Sequence, residues 1–552
     1  AISRVRSLII PLLDEGRTGD NRATSSPQRP MADDQEERRE IEAYLQQHHL
    51  QTFIGDAVNE VVKERPKDPL SKLGDALRAC SDGSRQIQKV HGRQILNGEA
   101  LPALEVEIRT GQGPVFAAVS SGPYDGNEEV FEGRGLLQAV EHTDQILAEI
   151  LLGKDPTQQT KIDKSFTQEP TLPANVVSAA SIACCKAGAK QNLVAVFDHI
   201  GTMCDNADGR IPATAFSTIN GGQSAASSLW VQDIFIVPTG DLVSLSDRLA
   251  VASAVHRSLE DTARSAGQEV LQRGPRGGFC NGAGTFEHLM DCLMTSLDTV
   301  GHLGRVEFVV DVHASRLVPS SEESEVAEKD EERTIEYDLT TFSSDTTALE
   351  LTSAQTLLDT YVEWLEKYPI TAFVEPFADT DVAMSKELLI RGNQVLQAKA
   401  GASRDPADST AAASTGEAQA DNPGSTENVE IGGDDSCLLR VIADESVSKP
   451  SQLLFVNEQR GANAVVINTS KFSTLSEVIT LTTRARDVGW AIMVAAVDEH
   501  ELEGDFLAEL GVGLRAKLIL LGGLRSASTI AACTRLMRVE DEGVPQVGVG
   551  NE

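Results

Sequence analysis

The sequence has few aromatic residues and no long apolar run. Phe, Trp and Tyr make up only 4% of the 552 residues, although 41% of the residues are hydrophobic and can form sizeable cores. No apolar stretch approaches the roughly 20 residues that a membrane-spanning helix requires. The short stretch at residues 8–13 is broken by Pro11 and is not followed by the small-residue cleavage site of a signal peptide. We therefore expect a cytoplasmic protein that does not associate with membranes.

Basic residues and cysteines are also scarce. The chain has 48 Lys and Arg residues against 83 Asp and Glu residues. The resulting net charge of −35 repels phosphate backbones and anionic lipid headgroups. Nucleic acids and bare membranes are therefore not expected as partners. The 8 cysteines include no CxxC pair, which argues against a disulfide framework or a structural metal. The adjacent Cys184 and Cys185 can be a redox pair or, more commonly, small apolar residues on a packed helix.

The first part of the chain divides into a tail and two helices. Residues 1–35 show no sustained periodicity, so we expect them to form a disordered tail. Met31 resembles a natural translation start, so the residues before it are either part of this tail or an upstream extension. Helical spacing of apolar residues then begins, and Arg65-Pro66 should end the first helix. Asp68 followed by Pro69 should begin a second helix, as an N-cap acid before a first-turn proline. We expect the helical pair within residues 36–82.

Two short amphipathic helices joined by a proline turn bury little surface alone, which predicts dimerisation into a four-helix bundle. Residues 57–73, AVNEVVKERPKDPLSKL, resemble the RIIα-type dimerisation and docking motif. The resemblance implies a homodimer whose apolar groove binds an amphipathic helix of an anchoring protein. The alternative is a helical hairpin that packs on its own globular domain. The docking residues implied are Leu50, Phe53, Ile54, Ala57, Val58, Val61, Leu70 and Leu73.

The long body of the chain shows a mixed pattern. Alternating apolar residues on both sides of residues 111–113 predict an antiparallel hairpin, and residues 136–152 and 174–189 are predicted to be helical. After Phe216, short apolar strands alternate with amphipathic helices, which predicts a barrel-like α/β domain. Two polar stretches, residues 320–332 and 398–435, are expected to be mobile inserts because they offer little apolar surface to bury.

A series of short motifs resembles enolase, in family order over residues 90–545. The motifs are Arg93-Gln-Ile-Leu, Leu104-Glu-Val-Glu, residues 175–189, Ile219-Asn-Gly-Gly, Gly277-Gly-Phe, Tyr337-Asp-Leu, Tyr368-Pro, Pro376-Phe, Thr474-Leu-Ser-Glu, Val488-Gly-Trp and Leu536-Met-Arg-Val-Glu. The resemblance implies an α+β N-terminal domain at residues 88–212, an enolase-type β/α barrel at 213–545 and often a homodimer. The N-terminal docking motif and the insert at 398–435 are similar to the enolase-4 type of sperm and ciliated organisms, which implies the axoneme of a cilium or flagellum.

The positions that carry enolase chemistry are mostly occupied by other residue types. The enzyme removes a proton next to a carboxylate, which requires a strong base and magnesium ions to stabilise a dianion. Alignment on the motifs places Asn468 at the base lysine, and an amide cannot accept the proton. Ala495-Ala-Val-Asp replaces the substrate-gripping His-Arg pair, while Lys471 and Lys517 lie near the lost lysines. By the resemblance, Arg276 stands at the loop glutamate, which reverses the charge, and alignment on Arg525-Ser526 places Ile519 at the second conserved lysine. Ser224 stands at the loop histidine, Tyr124 at the serine of the mobile loop and Asp233 at a glutamate, with a carboxylate on a shorter stem.

The first metal site is partly retained. By the resemblance, Asp311 and Asp444 match two of the three magnesium carboxylates, and the third position aligns to Val374 with Glu375 beside it. Adjacent strand residues point to opposite faces, so Glu375 is a ligand only if the register slips by one. Two alternatives stay open, a vestigial metal site and buried acids that are hydrogen-bonded at strand ends. We expect no cofactor, or magnesium if a residual site is occupied.

These expectations favour a non-catalytic enolase relative that acts as a structural or interaction component. The rival hypothesis is a working phosphopyruvate hydratase, which would convert 2-phosphoglycerate to phosphoenolpyruvate with an unconventional site. A third hypothesis is a pseudoenzyme that still binds a small ligand in the barrel mouth as a sensor.

Overall fold

The structure is a computed structural model, and its description covers most of the chain with several gaps. The described residues are 44–45, 50–79, 85–98, 101–120, 136–205, 208–222, 225, 227–240, 242, 244–265, 272–274, 276–280, 285–319, 335–342, 350–402, 439–447, 449–468, 472–495, 502 and 504–547. The predicted tail at residues 1–35 and the insert at 320–332 lie outside them.

Two helices form a hairpin near the N-terminus, α1 (Leu50–Glu64) and α2 (Pro69–Ala79). Helix α1 ends at Glu64. The next residue, Arg65, has a left-handed backbone with φ 49° and directly precedes Pro66. The Asp68 carboxylate accepts a hydrogen bond from the backbone N–H of Ser71 at 3.1 Å, which caps the first turn of α2. The predicted break between the two helices is therefore confirmed. Lys72 spans the pair through an ion pair with Glu64 at 3.1 Å.

An antiparallel three-stranded sheet and several helices follow. The strands are β1 (Lys89–Leu96), β2 (Pro102–Thr110) and β3 (Gly113–Ser120), and β2 and β3 form the predicted hairpin. The helices are α3 (Leu137–His142), which continues through a π turn (Thr143–Leu147) into α4 (Ala148–Leu151), then α5 (Gln159–Phe166), α6 (Ala174–Asn192) and α7 (Val196–Met203). Cys184 and Cys185 are fully buried free thiols on α6, and burial raises the pKa of both. They are therefore packing residues.

The second half of the chain is a closed barrel. Its strands and those of two small ribbons are β4 (Ala213–Asn220), β5 (Asp233–Pro238), β6 (Gln272–Arg273), β7 (Phe279–Cys280), β8 (Val306–Asp311), β9 (Glu336–Asp338), β10 (Leu351–Ser353), β11 (Ile370–Val374), β12 (Arg440–Ala443), β13 (Ala464–Asn468), β14 (Ala491–Ala495) and β15 (Leu518–Leu521). Strand β15 pairs with β4 and closes eight strands into a barrel: β4, β5, β8 and β11 to β15. Strand β5 is antiparallel to β4 and β8, and the other pairs of neighbouring barrel strands are parallel. The predicted α/β barrel is confirmed.

Helices connect the barrel strands. They are α8 (Leu245–Ser265), α9 (Phe286–Thr299), α10 (Ala354–Lys367), α11 (Val382–Ala402), α12 (Pro450–Gln459), α13 (Leu475–Asp487), α14 (Gly504–Gly513) and α15 (Ala527–Asp541). Helix α11 extends into the polar stretch that was predicted to be an insert from residue 398, so residues 398–402 are helical instead. None of the helices in the described residues is long and apolar enough to cross a bilayer.

Side chains of the barrel strands alternate between two cores. Phe235, Val309 and Ile442 belong to a cluster inside the barrel. Their strand neighbours Ile234 and Val310 belong to the larger core outside it, between the strands and the surrounding helices. The alternation has a period of two, so a residue two positions beyond an inward-facing residue also faces inward at the rim of the barrel.

Candidate functional site

Three buried aspartates lie at one rim of the barrel. Asp311 ends β8 and Asp444 directly follows β12. Asp233 begins β5, and the antiparallel direction of β5 brings its start to the rim where the parallel strands end. Asp233 and Asp311 are direct cross-strand neighbours. Each aspartate stands two positions from an inward-facing residue of its strand, so the carboxylates converge on the barrel mouth.

Arg276 extends between two of these carboxylates. Its Nη1 lies 3.3 Å from Asp311 Oδ2 and 3.5 Å from Asp233 Oδ2. The loop that carries Arg276 packs tightly on Asn220, since a Cβ on Gly274 would lie 2.2 Å from Asn220 Oδ1. The residue that the resemblance aligned with a loop glutamate is therefore a cation in contact with two rim acids.

Asp233 is held by neutral donors as well. Ser217 Oγ donates to Asp233 Oδ1 at 2.8 Å, and Asn220 Nδ2 donates to Oδ2 at 3.0 Å. Complete burial raises the pKa of Asp233 to about 7, although the charge of Arg276 and the bond from Ser217 lower it. Each Asp233 oxygen therefore accepts from at least one donor, so this acid is a member of a fixed polar network.

His313 links two of the rim aspartates. Its Nδ1 lies 2.5 Å from Asp311 Oδ1 and its Nε2 lies 3.1 Å from Asp444 Oδ2. The residue has left-handed backbone, with φ 50°, and its ring is buried. Burial lowers the pKa of His313, but the charges and hydrogen bonds of Asp311 and Asp444 raise it to about 10. Burial raises the pKa of Asp311, but the His313 and Arg276 charges lower it below its ordinary value.

Sequence reasoning missed His313. Its signal was available in the stretch Asp311-Val-His313, where a histidine stands two positions after a strand-end acid and thus on the same side of an extended chain. The partner Asp444 lies 131 residues further along the chain, so sequence alone does not bring the two together.

Glu375 lies near the same rim, but its carboxylate binds backbone and side-chain donors of the turn after β12. Val374 belongs to the cluster inside the barrel, so the inward position at the end of β11 is apolar. Glu375 is buried with φ 45°, and its Oε1 accepts from the backbone N–H of Asp444 at 2.5 Å. The same oxygen accepts from the N–H and Oγ of Ser446 at 3.1 and 2.8 Å. Glu375 therefore stabilises the turn after β12.

These contacts test whether the rim fits magnesium, the ion that the resemblance implies. Mg²⁺ requires near-octahedral oxygen ligands at about 2.0–2.1 Å. Within the described residues, no group of three or more His, Cys, Asp or Glu side chains is arranged to hold a metal ion. Asp311 and Asp444 are each bonded to a ring nitrogen of His313, and Glu375 is bonded to the turn after β12. The residues of the predicted vestigial site, Asp311, Glu375 and Asp444, do not fit a magnesium site.

The two positions aligned with active-site lysines differ in orientation. Asn468 is buried at the end of β13 and stands two positions after the inward-facing Val466. Ile519 belongs to the core outside the barrel, whereas its neighbour Leu520 faces inward. The assignment of Ile519 to the pocket is therefore wrong by one residue, because its side chain points out of the barrel. Leu520 points inward, and it is also apolar. Lys517 is exposed and precedes β15, at the barrel end opposite the aspartates.

Other predicted positions have a mixed outcome. Tyr124, Ser224, Lys471 and residues 496–498 lie outside the described residues. In the helical hairpin, Phe53, Ile54 and Leu70 expose 37%, 39% and 79% of their surface, while Ala57 and Val61 are buried and Val58 and Leu73 are half-buried. Leu50 begins α1. Part of the predicted docking surface is thus open, and part is in the core of the hairpin.

Comparisons with known families cover most of the body of the chain. The family model described as "Enolase, N-terminal domain" matches residues 87–200. The model described as "Enolase, C-terminal TIM barrel domain" matches residues 209–399 and 424–548. The two matched regions coincide with the three-stranded sheet with its helices and with the closed barrel.

Similar proteins of known name carry the same description at low identity. The chain is 26% identical over 483 residues to "Enolase 1" of Entamoeba histolytica, covering 84% of this chain and 98% of that protein. It is 24% identical over 523 residues to "Cytosolic enolase 3" of Arabidopsis thaliana, covering 91% of this chain and 96% of that protein. It is also 26% identical over 481 residues to "Enolase" of Eimeria tenella, covering 83% and 96%.

Proposed function

The chain belongs to the enolase family, and we propose that it is a member that has lost catalysis and serves as a structural or interaction component. The observation that carries the proposal is the position of Arg276. Its guanidinium is committed to Asp233 and Asp311, at a position where the family resemblance places a glutamate of the catalytic loop.

The chemistry of the family explains why this rim is unsuited to it. Removal of a proton beside a carboxylate produces a dianion, which needs a base and cations aimed at the substrate. Asn468 offers an amide at the predicted base position, and Leu520 offers an apolar surface near the predicted second lysine. The loss of a general base alone commonly costs about 10²–10⁴ in rate. Loss of the base together with a charge partner removes measurable turnover.

The N-terminal hairpin supports the interaction part of the proposal. Phe53, Ile54 and Leu70 expose large apolar surface, and isolated helical hairpins of this size gain stability by covering such surface. By its resemblance to the RIIα-type motif, the hairpin forms a homodimer that binds an amphipathic helix of an anchoring or axonemal protein. The proposed location is the cytoplasm, and by similarity to the enolase-4 type the axoneme of a cilium or flagellum.

The proposal keeps the domain division expected from the sequence. It consists of a tail at residues 1–35, docking helices within 36–82, the α+β domain at 88–212 and the barrel at 213–545. The insert at 398–435 lies within the barrel segment, where α11 covers its first residues.

The docking experiment uses the full chain and a labelled amphipathic helical peptide of the kind that RIIα-type dimers bind. We expect Ile54→Glu to weaken peptide binding at least about tenfold, because a charge replaces a half-exposed apolar side chain at the centre of the predicted groove. Leu152→Glu is the matched control, since Leu152 is similarly exposed, at 49%, but follows α4 in the α+β domain. Binding should be unchanged in the control.

Equal binding by the wild-type chain and Ile54→Glu, or no binding by the wild-type chain, would contradict the docking proposal. The sensor hypothesis has a separate test, which is thermal stabilisation of the chain by phosphorylated metabolites. The working hydratase hypothesis is tested by turnover of 2-phosphoglycerate.

A further inference from the structure

Two side chains of the barrel rim bind the buried aspartates from within the chain. We propose that His313 and Arg276 take the place of a divalent metal ion as the partners of the rim carboxylates. The inference concerns how the rim is stabilised and does not depend on the docking proposal or on the loss of catalysis.

The His313 ring lies between two of the aspartates. Both ring nitrogens face carboxylate oxygens, Nδ1 towards Asp311 at 2.5 Å and Nε2 towards Asp444 at 3.1 Å. The ring therefore occupies one oxygen of each of the two carboxylates that match the family's magnesium ligands. Glu445 Oε1 lies 3.7 Å from the same Nε2 and adds further negative charge beside the ring.

Arg276 completes the arrangement on the other side of Asp311. Its Nη1 lies 3.3 Å from Asp311 Oδ2, whereas His313 lies beside Oδ1. Each oxygen of Asp311 is therefore in contact with a different side chain. Arg276 also reaches Asp233 at 3.5 Å, so the two side chains together contact the three buried aspartates.

The backbone supports a dedicated role for His313. The residue has φ 50° and ψ 53°, a left-handed conformation that is uncommon for residues with a side chain, and it directly precedes a short 3-10 turn (Ala314–Leu317). This conformation turns the ring back towards the strand ends. A divalent ion bound to Asp311 and Asp444 would compete with the imidazole ring for the same two carboxylates and be repelled by the guanidinium of Arg276.

The test compares thermal unfolding of full-length variants after chelation with EDTA and then with added MgCl₂. We expect the wild-type melting temperature to be unaffected by either treatment. His313→Ala should lower the melting temperature by on the order of 5–10 °C, because two buried carboxylates lose a hydrogen-bond partner. Added magnesium should then restore several degrees, because the vacated carboxylates can bind it.

His91→Ala is the matched control. His91 Nδ1 pairs with Asp144 Oδ1 at 3.0 Å, but this His–Asp pair is partly exposed and lies between β1 and the π turn of the α+β domain. The control should melt like the wild type, and its response to magnesium measures the non-specific effect of the ion on a chain with net charge −35.

A double variant keeps the test decisive if His313→Ala folds poorly. His313→Ala with Asp444→Asn removes the charge of one of the two carboxylates that lost the imidazole, so it should melt above His313→Ala alone and respond less to magnesium. The proposal is overturned if wild type and His313→Ala gain equal stability from magnesium, or if His313→Ala and His91→Ala have the same melting temperature. It is also overturned if Asp444→Asn gives no recovery.

Discussion

Replacement of Arg276 by glutamine should destabilise the folded chain by about 2–4 kcal/mol. The substitution keeps a polar side chain, although a shorter one, and removes the charge that lies between Asp233 and Asp311. Asp233 is fully buried and Asp311 nearly so, while the Arg276 side chain is only 21% exposed. Removal of one partner from a buried charge pair typically costs about 3–5 kcal/mol. Because Arg276 is partly solvated, we expect a cost about 1 kcal/mol smaller than that range.

A Coulomb estimate gives the same order. Two unit charges about 4 Å apart interact by about 4 kcal/mol at an effective dielectric constant of about 20. Arg276 makes two such contacts, and the desolvation of the guanidinium offsets part of their sum. The assay is thermal unfolding of the full chain, in which the variant should melt about 4–8 °C below the wild type.

Arg264→Gln is the matched control, because Arg264 also contacts two carboxylates. It lies 3.4 Å from Glu260 and 3.2 Å from Asp261, but its side chain is 62% exposed. Exposed pairs of this kind contribute about 0–0.5 kcal/mol, so the control should melt within about 1 °C of the wild type. Equal melting temperatures for the two variants would refute the claim that the rim depends on Arg276.

Two further substitutions test the environment of buried polar groups. His256 stacks on Phe279 with ring centroids 4.3 Å apart, and burial together with the charge of Arg525 lowers its pKa to about 4. In the unfolded state the imidazole is protonated below about pH 6.5, whereas in the folded state it stays neutral down to about pH 4. The free energy of unfolding of the wild type therefore falls as pH falls from 6.5 towards 4. Between pH 7 and 5, His256→Phe should gain about 2 kcal/mol of unfolding free energy relative to the wild type, measured by urea unfolding. An unchanged pH dependence would contradict this assignment. Asp163→Ala should cost about 2–4 kcal/mol in the same assay, because its carboxylate accepts from Ser476 at 3.0 and 2.6 Å and from other buried donors, which would lose their acceptor. A loss below about 0.5 kcal/mol would show that this link between α5 and α13 is dispensable.

Local signals in the sequence were sufficient to predict much of the fold. The helix break at Pro66 and the N-cap at Asp68 follow from the chemistry of proline and of a capping carboxylate. The hairpin of β2 and β3 follows from the alternation of apolar and polar residues in both strands and from Gly113, which has φ 98° at the turn. Ordered motifs then indicated the barrel, since family landmarks constrain the fold more strongly than propensity does.

The candidate site depends on side-chain orientation and on contacts between distant segments, which sequence spacing alone does not provide. Alignment on Arg525-Ser526 assigned the lysine position to Ile519, but the pleat of β15 turns Ile519 outward and Leu520 inward. The contact between His313 and Asp444 requires a left-handed residue and the approach of two strand ends from distant segments. Arg276 was identified as a charge reversal, yet only the fold shows that it contacts two aspartates.

The most direct test of the central claim is the dehydration of 2-phosphoglycerate by the purified full chain in the presence of magnesium, measured as formation of phosphoenolpyruvate at high protein concentration. We expect no product above the protein-free control, because Asn468 cannot accept the proton and Arg276 is bound to the rim acids. Product formation that scales with protein concentration and disappears in Asp311→Asn would show that the chain is a working hydratase.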